Sequence, residues 1–301
     1  MIVSSFMYLE LYVVATGFLI LEGDNLSNLF PNMSFTLAGV KVYGQQGFVM
    51  LVGLIILPSM WLTDLSKISY VSATGVLASV LIIVSVFWVG VEDTGFRAKG
   101  KFFKLNGIPT GVSLYTFCYC AHPVFPTLYT SMKDKRQFSK VLLLCFVLCT
   151  ISYGTMAVTL NLPIDKLSSK IAIYTTLVTP IAKYALMATP IVNAIESSSG
   201  ISYNNKTIRL LIRTLFLISS VILALTIPFF GYLMSLVGAF LSATASIIIP
   251  CLCYLKIMGT YRSWGYELVI IIGIILMGIS VVIIGTYTSL EQIASEFKLS
   301  F

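Results

Sequence analysis

The sequence predicts an all-α polytopic membrane protein of about nine transmembrane helices, and three observations carry that expectation. Of its 301 residues 57% are hydrophobic and 10% charged, where soluble domains carry roughly 25% charged residues. The mean hydropathy is +0.95. Apolar runs of about 18 or more residues, long enough to cross a bilayer core, recur along the whole chain with short polar stretches between them. This composition excludes a soluble enzyme. Nineteen Lys and Arg against twelve Asp and Glu give a formal charge of +7. In a multispan chain that excess reports basic cytoplasmic loops and not a nucleic-acid surface, so nucleic acid is excluded as a main partner.

Nine runs qualify, at 3–21, 44–62, 70–91, 109–131, 139–159, 171–195, 209–229, 231–257 and 266–287. The first lacks the basic leader of a signal peptide and holds Glu10 within its apolar stretch, so it reads as a genuine span. An odd count puts the two termini on opposite sides. The longest connections, 22–43, 92–108 and 196–208, leave residues 1–301 as a single transmembrane domain. Alternating the loops places ten basic residues on one side and eight on the other. The side holding the tight Lys133-Asp134-Lys135-Arg136 turn is taken as cytoplasmic. Two sequons, at Asn25 and Asn32, then fall in a lumenal loop, and a third at Asn205 falls on the wrong side.

The six cysteines, Cys118, Cys120, Cys145, Cys149, Cys251 and Cys253, lie inside apolar runs. Their i,i+2 pairs match no usual zinc spacing, and with one histidine in the chain they read as small packing residues, with no metal or other cofactor implied. Most spans are Leu, Ile and Val with small residues, the composition of helices packed against lipid and one another. The stretch from Gly231 to Gly238 and the run from Ser242 to Ser246 read as a tight small-residue helix contact. Glu196 and Asp64, at span ends, read as interfacial anchors.

The fourth span is different. Gly107-Ile108-Pro109 leads into Phe117-Cys118-Tyr119-Cys120-Ala121-His122-Pro123-Val124-Phe125-Pro126, which holds the only histidine and two prolines three apart. Each proline removes a backbone donor and crowds the preceding turn, releasing carbonyls near Tyr119 to His122. Such backbone is tolerated at membrane depth only inside protein or beside a wet cavity. The stretch is therefore either a broken-helix binding site of the kind secondary transporters use, or a proline kink with His122 hydrogen-bonded structurally. Lys183, deep in the sixth run, is likewise either an interior cation with a partner or a lysine snorkelling along its span. Glu10 is its natural opposite charge. No His-Glu-x-x-His, no nucleophile elbow and no phosphate loop is present, so no enzyme is expected.

Four stretches resemble a known family: Tyr8 to Tyr12 with Glu22-Gly23-Asp24-Asn25-Leu26, Val124 to Lys133, Ser169 to Val192, and Ala224 to Phe230 with Pro250 to Tyr254. They are similar to the amino acid/auxin permease family, in particular to plant vacuolar amino-acid transporters and their vesicular inhibitory amino-acid relatives. The resemblance implies an inverted five-helix-repeat, LeuT-like fold of eleven spans, here incomplete because the chain begins at the third. It implies proton-coupled transport of neutral amino acids across the vacuolar membrane, or another endomembrane or the plasma membrane. The chain also departs from the family in a shortened connection after Val158 and in Ala121-His122-Pro123 where Gly-His-Ala is usual. Phe117, Cys120, Ala121 and His122 are the substrate-binding residues the resemblance implies, and Lys183 lies in the helix it assigns to a cation site. His122, Glu10 and Lys183 are the mid-span candidates for proton coupling. The alternative function is a non-transporting membrane fragment or paralogue that modulates a full-length relative.

Overall fold

The computed structural model describes residues 2–30, 33, 35–37, 40–42, 44–61, 65–89, 107–159, 183–197, 206–227, 230–259 and 265–300. The described residues are helical apart from one small hairpin and short connections. Its elements are α1 (Ile2–Leu29), β1 (Phe35–Leu37), β2 (Val40–Val42), α2 (Gly44–Met60), α3 (Leu65–Val89), α4 (Ile108–Cys118), α5 (Phe125–Ser131) and α6 (Phe138–Thr159). They continue with α7 (183–197), α8 (Lys206–Thr226), α9 (Phe230–Leu236), α10 (Ile249–Met258), α11 (Tyr266–Ser280) and α12 (Thr286–Ser300). Among the described residues five helical stretches are long and apolar enough to cross a membrane: Val3–Leu29, Lys135–Gly154, Lys206–Thr226, Phe230–Met258 and Tyr266–Ser295. The chain is a multi-pass membrane protein by that measure. Apolar side chains stand exposed along these helices, among them Leu143, Leu144 and Ile151 on α6 and Leu276 and Ile283 on the last stretch. Lipid is as apolar as those side chains, so their exposure is the expected outer surface of a bundle in a bilayer.

Two compact units divide the chain. The first comprises residues 1–17, 103–126 and 227–301, and the second residues 18–102 and 127–226. In the second unit α2 and α8 pack on one another. The buried residues of α8, Arg213, Phe216, Leu217, Ser220 and Ala224, recur at three- and four-residue intervals and so form one face. Gly53 on α2 allows the approach, because a Cβ there would stand 2.9 Å from the Val221 side chain. Arg213, 2% exposed, donates to the Met60 carbonyl at 3.1 Å and lies 3.5 Å from Glu196 of α7, which also meets Arg209 at 3.3 Å. Glu196, expected as an interfacial anchor, thus ties α7 to α8. Tyr184 on α7 is fully buried and hydrogen-bonded to Ser220. Tyr184→Phe is expected to lower stability by about 1 kcal/mol, the usual net worth of such a bond, read as a fall in melting temperature in detergent.

In the first unit α4 packs against the turn between α9 and α10 and the turn between α11 and α12. Both turns are π-helical, Val237–Ser242 continuing into Thr244–Ile248 in one case and Val281–Gly285 in the other. Gly238 and Gly285 face the same residue of α4, Ser113. A Cβ on Gly238 would collide with the Ser113 carbonyl, so only glycine permits this crossing. The small-residue contact expected around Gly238 is therefore real. Ser235 and Ser289 hydrogen-bond at 2.8 Å below it, and Thr110 and Gln292 bond at 3.1 Å.

Two sequence expectations are corrected here. Residues 22–29, expected to open a loop, continue α1 as helix, because the acidic residues that end the apolar run face protein interior instead of water. Asn25 consequently lies in a helix with its Nδ2 buried, which no glycosylated sequon in a loop would show. The Asn32 and Asn205 sequons, Asp64 and most of the 92–108 connection lie outside the described residues.

Candidate functional site

The site begins with the break in the fourth span. Pro109 sits in the first turn of α4, where its missing N–H is harmless. The helix stops at Cys118, four residues short of the His122-Pro123 pair. Tyr119 and Cys120 donate to carbonyls three residues back, at 3.3 and 3.1 Å, tightening the last turn. Pro123 cannot donate to Tyr119. Val124 turns its N–H to Ala121 at 3.0 Å instead of to Cys120. One turn of tight helix, His122–Val124, then leads into α5. The carbonyls expected to be released between Tyr119 and His122 are thus only partly released, since those of Ala121 and His122 are taken up locally by Val124 and Phe125.

Three helices of the first unit meet at this break. Glu10 of α1 is 1% exposed. Its Oε1 accepts from the Cys120 thiol at 2.6 Å and from the Ser242 hydroxyl at 2.6 Å. Ser246 donates to the Cys120 sulfur at 3.4 Å, closing a chain of four polar side chains. The second carboxylate oxygen, Oε2, is buried without a hydrogen-bond partner. A carboxylate bonded through one oxygen and bare at the other keeps one buried acceptor in reserve for a proton or for a donor on a bound molecule. Ser242 and Ser246 reach this cluster because the π-helical turns alter the pitch between Val237 and Ile248, a distortion frequent at functional sites.

His122 is half-buried beside the Phe125 ring, 4.9 Å between centroids, and its Nδ1 is buried without a partner. No structural hydrogen bond pins that nitrogen. Phe117 and Ala121 are half-buried, with Phe117 against Gly238. An apolar cavity of about 280 Å³ lies along the same stretch of α1, lined by Leu9, Val13, Val237, Phe240 and Thr286. Lys183 is the first described residue of α7, in the second unit, with an exposed side chain. Of the six residues singled out in the sequence, the structure joins Glu10 directly to Cys120 and places Phe117, Ala121 and His122 on the same broken segment. Ser242 and Ser246 read in the sequence only as part of a small-residue helix contact. Their only signal was a pair of hydroxyls four apart in a small-residue run, which helix contacts produce equally well.

None of the six cysteines is disulfide-bonded, and the described residues hold no group of three His, Cys, Asp or Glu that could bind a metal. With Cys120 bonded to Glu10 and Ser246, Cys120→Ala is expected to lower stability by about 1 kcal/mol by leaving Glu10 with one donor, read as a fall in melting temperature in detergent beside Cys145→Ala, which leaves it unchanged.

Comparison with known proteins follows the same lines. The family model described as transmembrane amino acid transporter protein matches residues 1–291. The chain is 56% identical to amino acid transporter AVT1J of Arabidopsis thaliana, an alignment covering 98% of this chain and 74% of that protein. It is 54% identical to amino acid transporter AVT1I of the same plant, covering 97% of this chain and 76% of that protein. Against amino acid transporter AVT1B identity is 41%, over 99% of this chain and 58% of the relative. These relatives are named as transporters and not as enzymes. No solved structure matches the chain.

Proposed function

The chain belongs to the transmembrane amino acid transporter family, and from that premise we propose that it moves neutral amino acids across a membrane, coupled to protons, by alternating access. The fold in this reading is LeuT-like, with nine spans in this chain and part of the inverted five-helix repeat, and the membrane is the vacuolar one. The observation that carries the reading is Glu10, buried at a broken helix, donated to by Cys120 and Ser242 through one oxygen and open at the other.

Each part has a chemical task. The broken segment from Phe117 to His122 presents backbone and half-helix ends to the charged groups of an amino acid, as discontinuous helices do in secondary transporters. The apolar cavity beside Leu9 and Val13 suits an uncharged side chain. Glu10 takes up the proton, with its bonded hydroxyl and thiol reporting to the segment whether it is charged. His122 and Lys183 are further groups able to carry charge.

The test is counterflow exchange in proteoliposomes, with labelled amino acids of neutral, acidic and basic side chains at equal pH on both sides. Neutral amino acids are expected to exchange, and acidic and basic ones are not. Exchange confined to charged amino acids overturns the substrate class. Absence of any exchange from folded protein favours a non-transporting membrane protein that modulates a relative.

A further inference from the structure

Twelve residues beyond Glu10 on α1, a second carboxyl group has no assigned role. Glu22 is 0% exposed, and neither of its oxygens has a hydrogen-bond partner. It lies in the second unit, within the stretch of α1 long and apolar enough to cross a membrane. An ionised carboxylate so placed is opposed by a desolvation penalty of several kcal/mol, and among the described residues no hydrogen-bond donor offsets it. Its surroundings explain the isolation. Among the described residues, α2 approaches this stretch where Gly23 meets the Val49 side chain and the Gln45 carbonyl, and α2 carries no titratable residue between Gly44 and Met60. On α1 itself the nearest acid is Asp24, which already receives the Gln45 amide. Asn25 next to it has a buried Nδ2 without a partner.

We propose that Glu22 is a second proton-binding site of this chain, separate from Glu10 and not part of the substrate site. The group holds a proton in the state described, and releases it when the opposite-facing state wets this part of α1. The step is a simple acid–base exchange. A proton from water on one side adds to the Glu22 carboxylate to give the neutral acid, and the same proton leaves to water on the other side. A metal cation fits less well, because the described residues hold no group of three His, Cys, Asp or Glu that could bind one, whereas a proton needs no further ligand. The inference rests on the reading of the chain as a proton-coupled carrier only for its consequence in transport. The protonation itself stands independently.

Two arms separate those parts. Infrared difference spectra between acidic and alkaline pH, taken on wild-type protein and E22Q, are expected to show a protonated-carboxyl carbonyl band in the wild type that E22Q lacks. If E22Q does not fold, E22D carries the same arm, with the band displaced instead of lost. In proteoliposomes E22Q is expected to exchange neutral amino acids within twofold of wild type while losing at least tenfold of proton-driven accumulation. A difference spectrum identical in wild type and variant overturns the proposal, as does proton-driven accumulation that E22Q leaves intact or that follows a sodium or potassium gradient instead. Absence of transport in the wild type defeats the carrier reading alone, since the infrared arm still decides Glu22.

Discussion

Glu10→Ala is expected to abolish exchange and proton-driven uptake together, reducing both about a hundredfold while the protein still folds. Two donors, the Cys120 thiol and the Ser242 hydroxyl, end on the same carboxylate oxygen. Removing the acceptor leaves both buried and unpaired, at about 1–3 kcal/mol each. Their sum of roughly 3 kcal/mol corresponds to about two powers of ten in an equilibrium at the site. The loss falls on the segment that the substrate meets, so exchange without any gradient fails as well. Glu10→Gln separates the two tasks. Its amide oxygen still accepts both donors, and its charge matches the protonated acid, so exchange survives at a tenth or more of wild type while gradient-driven accumulation is lost. Uptake by Glu10→Ala at wild-type rates contradicts the role given to this cluster.

Gly238→Val is expected to leave little folded protein. The crossing of α4 over the π-helical turn is so close that even the Cβ of alanine meets the Ser113 carbonyl group, with its carbon 2.9 Å away and the Phe117 Cβ at 3.0 Å. Backbone cannot swing aside as a long side chain does, and overpacking of this kind destabilises by typically about 1–3 kcal/mol, with valine at the upper end or beyond. The damage also spreads to function, because separating α4 from the turn moves Phe117 and Cys120 away from Ser242 and Ser246. Gly231→Ala and Gly273→Ala are the matched controls, since nothing lies within 4 Å of a Cβ at either position. Melting temperatures in detergent should fall by several degrees for Gly238→Ala, further for Gly238→Val, and stay level for both controls.

The parts of the site that were legible in the sequence are those where a residue violates its surroundings. Pro123 and Pro126 in an apolar run announce a break because a proline inside a spanning helix removes a bond that lipid cannot replace. Glu10 is conspicuous for the same reason, as a charge where hydrocarbon is expected. Ser242 and Ser246 violate nothing. Small hydroxyl residues serve both close helix packing and polar contacts, and in this chain the two uses are adjacent, with Gly238 doing the first and Ser242 the second. Neither the π-helical turns nor the partner across 232 residues of sequence leaves a local trace.

The end of α1 departs from the loop the sequence predicts for a related reason. Hydropathy sums composition over a window, so Glu22 and Asp24 look like the start of a polar loop. Burial depends on what packs opposite, and there Val49 and Gln45 cover a helix that runs on to Leu29. Lys183, read in the sequence either as an interior cation or as a snorkelling lysine, has an exposed side chain at the first described position of α7.

The most direct test of proton-coupled amino acid transport is accumulation of a labelled neutral amino acid by proteoliposomes carrying wild-type protein, with a proton gradient imposed and then collapsed by a protonophore. The expected result is accumulation above the external concentration that vanishes when the protonophore is added. Accumulation that persists through the collapse, or equilibration that never exceeds the external concentration with the gradient intact, contradicts it.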